Sequence, residues 1–143
     1  MMGMTAAHNS ARADVKPAAN PAIPPLTWSG EVADYAQNWA NNCQFMHSGG
    51  MYGENIFAGT GTYKPAGVVT DWVSEDANYD YATNSCAGGE VCGHYTQVVW
   101  RDSTKLGCGV ASCTDNSPFG GGSWQFWVCD YDPPGNFDGQ KPY

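Results

Sequence analysis

Gly93-His94-Tyr95-Thr96-Gln97-Val98-Val99-Trp100 is the stretch at which the pattern of the chain changes. Upstream of it, apolar residues recur at helical spacing. From it onward, β-branched and aromatic residues gather in short runs bounded by glycine and proline. The octet itself reads as a strand with His94, Thr96, Val98 and Trp100 on one face. Residues 106–111 read as a second strand. A third spans 123–130, where Trp124, Phe126 and Val128 alternate with Gln125, Trp127 and Cys129. The intervening 116–122, Asn-Ser-Pro-Phe-Gly-Gly-Gly, is a loop by composition. Helices first and strands later define an α+β fold rather than a parallel α/β one.

Working back from the octet, Pro65 is a good first-turn residue for a helix that points Val68, Val69, Trp72 and Val73 inward and carries Glu75 beyond them. Ser29 can cap an earlier helix in which Val32, Tyr35, Ala36, Trp39, Ala40 and Cys43 form one apolar face ending in a cysteine. A short N-terminal helix is expected over 5–13, with the polar group His8-Asn9-Ser10-Ala11-Arg12 inside it. The proline-rich 17–25 then reads as an extended connector.

The chain has 143 residues, which suits one domain over 1–143, and its 42% apolar and 13% aromatic content can fill a core. Only 14% of it is charged, and the net charge is −8. With so few cations it has no footprint for a nucleic-acid backbone and no polybasic patch for an anionic membrane surface. No apolar run approaches the roughly 20 residues that span a bilayer. Six cysteines in a small chain with 18 glycines read as a disulfide framework made in an oxidising compartment, so the expectation is a secreted, extracellular protein. The first residues, Met1-Met2-Gly3-Met4-Thr5, lack the basic and apolar regions of a signal peptide, which suggests a mature form.

Chemistry is concentrated in few residues. Of three histidines, His47 follows Cys43-Gln44-Phe45-Met46 and His94 opens the octet; each has a candidate carboxylate, Glu54 and Glu75, among only four glutamates. Two His and two Glu near element ends could converge in a cleft as ligands for zinc or another divalent cation, or as a hydrogen-bonded network fixing sheet to helices. No compact metal spacing such as H-E-x-x-H decides between them. A nucleophile is missing: there is no G-x-S-x-G elbow, and Ser48 is merely the serine adjacent to a candidate base. Gly120-Gly121-Gly122 lacks the Lys-Ser/Thr of a phosphate loop. Six Trp, eight Tyr and five Phe exceed what a small core needs, so some could line a groove for an apolar ligand.

Three motifs in order then carry a resemblance: Tyr52-Gly53-Glu54-Asn55, Cys92-Gly93-His94-Tyr95-Thr96-Gln97-Val98-Val99-Trp100, and Cys129-Asp130-Tyr131-Asp132-Pro133-Pro134-Gly135-Asn136. Together they resemble the CAP superfamily of cysteine-rich secretory proteins, antigen five and pathogenesis-related class-one proteins. The similarity is to the pathogenesis-related branch and runs from His8-Asn9-x-x-Arg12 to Pro142-Tyr143. The resemblance implies an α-β-α sandwich with an antiparallel sheet between helical layers. It implies a cavity tetrad of His47, Glu54, Glu75 and His94, with a divalent metal, where one is bound, on His47 and His94. It selects the disulfides Cys43–Cys113, Cys86–Cys92 and Cys108–Cys129 from the 15 pairings that six cysteines allow. It further implies a non-enzymatic defence protein that requires no cofactor and binds sterols or fatty acids. Residues 97–106 are similar to a sterol-loop segment, with Val98, Val99, Trp100 and Leu106 as candidate lipid contacts. Two other readings stand beside this one. The first is a metal-dependent hydrolase using the tetrad. The second is a signalling module that acts on a receptor through its surface or through a released peptide over 133–143.

Overall fold

In the computed structural model, which describes residues 1–143, the first helix, α1 (Met4–Ala13), turns Met4, His8 and Arg12 inward at i, i+4 and i+8. The polar group expected inside that helix is therefore partly core. α2 (Gly30–Ala40) is capped by Ser29, whose Oγ accepts from Val32 N at 3.3 Å, and it buries Val32, Ala36 and Ala40. It ends three residues before Cys43, which lies past the helix at φ 51° instead of on its last turn. α3 (Pro65–Val73) starts at its proline and buries Val68, Val69 and Trp72, leaving Val73 half-buried. Glu75 belongs not to this helix but to the 3-10 turn Ser74–Asn78 that continues it.

The strands are β1 (Thr27–Trp28), β2 (Gly53–Gly59), β3 (Tyr79–Asp80), β4 (Ser85–Cys86), β5 (Lys105–Cys113) and β6 (Trp124–Asp132). The main sheet runs β1-β5-β6-β2 and is antiparallel except for the short parallel pair β1/β5; β3 and β4 make a separate hairpin. The octet from Gly93 is not a strand. It forms the helix α4 (Gly93–Val98), whose inward residues Tyr95, Val98 and Val99 stand at i, i+3 and i+4. The carboxylate of Glu75 accepts from the N–H groups of His94 and Tyr95 at 2.9 and 3.1 Å, so a residue 19 positions away satisfies the first turn. A contact across the fold thus overrides the β propensity of this stretch.

Helices cover both faces of the sheet, which makes the sandwich. On one side α2 packs Ala36 and Ala40 against Trp124, Phe126 and Val128. On the other, α1, α3 and α4 meet Leu106, Cys108, Trp127, Cys129 and Tyr131 in the larger core. Both alternating sets of β6 are therefore buried, and the seven large aromatics Trp72, Tyr95, Trp100, Trp124, Phe126, Trp127 and Tyr131 are buried inside the fold. Gly107 and Gly109 of β5 let α2 come close. A Cβ at Gly107 would sit 2.0 Å from Ala33 N, and one at Gly109 would sit 2.5 Å from Gln37 Cα.

The disulfides join Cys43–Cys113, Cys86–Cys92 and Cys108–Cys129, the pairs that the resemblance selects. The first ties the segment after α2 to the end of β5; the third links directly opposed residues of β5 and β6. Arg12 closes the N-terminal segment. Fully buried, it donates six hydrogen bonds to the carbonyls of Pro24, Val98, Trp100, Arg101 and Ser103, and so laces the 17–25 connector to the turn after α4. No carboxylate faces it, and burial lowers its pKa to about 10. No helix is long and apolar enough to cross a membrane.

Candidate functional site

His47 enters the site from the segment between α2 and β2, which the Cys43–Cys113 bond anchors at its start. Glu54 is the second residue of β2 and is almost wholly buried, whereas the His47 side chain is 58% exposed. His47 Nδ1 lies 2.9 Å from Glu54 Oε1, and the same oxygen accepts from Ser48 N at 2.8 Å. Through this hydrogen bond Glu54 raises the pKa of His47. Burial pushes Glu54 upward, but the hydrogen bonds it accepts from His47 and Ser48 help to hold the carboxyl below its ordinary range.

The second pair mirrors the first. His94, at the start of α4, places Nδ1 2.7 Å from Glu75 Oε2 while Glu75 Oε1 caps the helix backbone. The imidazole lies parallel to the buried indole of Trp72, with centroids 6.3 Å apart. Asn55 steadies the pair from below: its Nδ2 donates to the His94 carbonyl at 2.9 Å and to Tyr131 Oη at 3.2 Å. Tyr131 Oη is 2.7 Å from His8 Nε2, and His8 Nδ1 is 2.9 Å from the Met4 carbonyl. Burial lowers the His8 pKa to about 4, so the ring is neutral: Nδ1–H donates to Met4 and Nε2 accepts from Tyr131. A hydrogen-bonded line therefore runs from α1 through the core to the backbone of His94.

Both histidines, Glu54 and Asn55 line one cavity of about 200 Å³, together with Val91, Gly93 and Asn136. The structure thus brings His47, Glu54 and His94 to one cavity, with Glu75 held against His94. Each Nδ1 is engaged by a carboxylate, which leaves Nε2 as the nitrogen each ring has for a ligand, the arrangement that carboxylates impose on metal-bound histidines. No group of three or more His, Cys, Asp or Glu side chains is placed to hold a metal, so the chain has at most the two imidazole nitrogens to offer an ion here. Ser48 is no nucleophile for this base. Its Oγ accepts from Tyr35 Oη at 3.1 Å, and only its backbone N–H reaches the pair, through Glu54.

The four residues expected on a sterol loop lie elsewhere. Val98, Val99 and Leu106 are fully buried and Trp100 nearly so, because α4 and β5 place them in the core. All four are therefore packed inside the fold rather than exposed on a loop. The apolar concavity is instead a groove of about 330 Å³ between α1 and α3. It is lined by Ala7, Ala11, Ala66, Val69 and Val73, with Ser10, Asp14 and Thr70, and contains no aromatic side chain. Sequence reasoning missed Asn55, Asn136 and Asp130. Asn136 has a visible signal, since it follows Pro-Pro-Gly, adopts φ 59° and ties its amide to Gly93 O at 2.8 Å and to Thr96 Oγ1 at 2.7 Å.

Comparisons with known proteins give the family and the fold. Residues 5–131 match the model of the family described as "CAP: Cysteine-rich secretory protein family". The chain is 46% identical over 142 residues to pathogenesis-related protein 1A of Nicotiana tabacum, covering 96% of this chain and 77% of that one. Among solved structures, venom allergen-like protein 4 of Schistosoma mansoni superposes with a TM-score of 0.75 at 26% identity, covering 99% of this chain and 91% of that one. The structure of NaASP2 with Zn2+ superposes with a TM-score of 0.74 at 27% identity, covering 98% and 82%.

Proposed function

Because the chain belongs to the cysteine-rich secretory protein (CAP) family, with plant pathogenesis-related proteins among its relatives, we propose that it is a secreted, non-enzymatic defence protein that binds a lipid acyl chain between α1 and α3. The observation that carries this reading is the groove itself, walled by small aliphatic side chains from two helices, with Ser10, Asp14 and Thr70 as polar groups for a headgroup. At roughly 0.8 kcal/mol per buried methylene, about ten methylenes contribute about 8 kcal/mol toward holding a fatty acid, from which the cost of association is subtracted. The three disulfides support an extracellular setting. A sterol is the weaker ligand, because the side chains expected to meet it are core.

Displacement of a fluorescent fatty acid by palmitate tests this. Saturable binding is expected in the wild type, and Ala11→Trp, which fills the groove, should weaken it at least tenfold with the melting temperature nearly unchanged. Equal affinity in the variant, or no saturable binding, overturns the proposal; displacement by a sterol alone would move the site elsewhere.

His47 and His94 are proposed as the ligands of a divalent cation such as zinc, the ion that accompanies the structural relative NaASP2. Glu54 and Glu75 orient the two rings by engaging each Nδ1. Since Glu54 raises the His47 pKa, protons compete with the metal over that raised range and affinity falls as the pH drops through it. Calorimetric titration with zinc should show one site at pH 8, weakened at pH 5.5 and abolished in His47→Ala/His94→Ala. Undiminished binding by the double variant would remove the site. A hydrolase reading is disfavoured, because each glutamate is already tied to an imidazole and neither is free as a base toward a bound water.

A further inference from the structure

Asp130 of β6 stands directly across from Glu54 of β2 and from Gly107 of β5. It is in phase with Trp124, Phe126 and Val128, on the face that α2 covers. It is fully buried, and neither of its carboxyl oxygens has a hydrogen-bond partner; Glu54 Oε2 is buried and unpartnered as well. Nothing nearby supplies a donor. Gly107 has no side chain, and α2 presents only the backbone of Val32 and Ala33 there.

Nothing nearby supplies a free positive charge either. The titratable groups around this end of the sheet are Glu31 and Tyr35 of α2, Tyr52 before β2, and Asp132 two residues along β6. Arg12 and Tyr131 face the opposite side, and Arg12 is saturated by carbonyls. His47 touches Glu54 on its other oxygen. Two facing carboxylates in such a place cannot both be ionised, since neither Asp130 oxygen nor the Glu54 Oε2 opposite them meets a donor.

We infer that Asp130 is held as the neutral acid and donates its proton to Glu54 Oε2, which makes it a positioning residue for the His47–Glu54 pair. One proton converts two opposed acceptors into a charge-assisted O–H···O⁻ bond. Glu54 then accepts from His47 and Ser48 on Oε1 and from Asp130 on Oε2, so the carboxylate that aims the His47 ring is fixed at both ends. The proton belongs on Asp130 rather than Glu54 because Glu54 already accepts from His47 and Ser48 on Oε1 whereas neither Asp130 oxygen meets a donor, and burial, with the Glu54 charge beside it, pushes the Asp130 carboxyl up to about 9.

The consequence is readable in stability. Between the ordinary aspartate pKa of about 4 and about 9, the folded pair holds one proton that the unfolded chain has released. The contribution of Asp130 is therefore present at low pH and is lost progressively as pH rises through that window. Asp130→Asn keeps a donor toward Glu54 Oε2 but binds no proton. Urea unfolding of the disulfide-intact chain at pH 5, 6, 7 and 8 should show the ratio of wild-type to Asp130→Asn unfolding constants rising about tenfold per pH unit. A ratio independent of pH overturns the assignment. Carbon-13 NMR of aspartate-labelled wild-type protein gives a second reading that needs no variant. The Asp130 carboxyl carbon should resonate as the neutral acid at pH 7 and move toward the ionised position near pH 9, and an ionised signal at pH 6 would equally refute it. Neither measurement involves a metal or a lipid, so its outcome is separate from that of the ligand-binding proposals.

Discussion

Arg12→Met is expected to lower stability by about 4 kcal/mol or more, among the largest losses of any single replacement in the chain. Methionine fills most of the arginine volume, so the loss isolates the hydrogen bonds. Six donated bonds vanish and five carbonyls near or within the core lose their guanidinium partner. Each such group left unpaired costs roughly 1–3 kcal/mol, and the sum is moderated because the 17–25 connector can lift and admit water. Urea unfolding measures the change directly. A melting temperature lowered by roughly 10–15 °C should accompany it. Arg12→Lys should recover only part of the loss, since one ammonium offers three donors where the guanidinium reaches carbonyls on two sides of the connector. A loss below about 1 kcal/mol for Arg12→Met would show that the lacing is not what holds the N-terminal segment.

Replacing Cys43 and Cys113 together by alanine should cost about 4 kcal/mol, against about 2 kcal/mol for the Cys86/Cys92 pair. The difference follows from loop closure: the separations are 70 and 6 residues, and the entropy removed from the unfolded chain grows with the logarithm of loop length. Parallel urea titrations of the two double variants check the order. Reversal of that order would mean that local packing, not the unfolded state, sets these values. The first variant also releases the segment that carries His47, so its zinc affinity should fall together with its stability.

Much of the fold is legible in the sequence because long, strongly periodic elements state their own period. α2 and α3 show their buried stripes and their start signals, Ser29 and Pro65, and β5 and β6 show alternation. What escapes is decided across the fold. α4 has only six residues, too few to display a helical period, and its first turn is satisfied by Glu75 from another element. β2 begins and ends with glycine and carries Glu54 and Asn55, so its alternation is masked. His8 and Arg12 read only as members of a polar group within the first helix, although their spacing with Met4 marks one helix face. The tetrad is legible as residue types but not as two separate pairs, since no spacing tells which carboxylate meets which imidazole. Asp130 was within reach: the alternation that turns Trp124, Phe126 and Val128 inward also turns this aspartate inward.

The glycines of β5 bear on how the molecule can move. Where α2 crosses Gly107 and Gly109, main chain lies against main chain, and the Gln37 amide fastens helix to strand by donating to Val110 O and accepting from Val110 N. Helix and strand are therefore expected to travel as one rigid body, with no shear plane between them. The histidine cavity, by contrast, takes His47 from the segment before β2 and Val91 from the segment before α4. Any breathing of its mouth falls to those two hinged flaps, each restrained by a disulfide, while the floor formed by the sheet stays still.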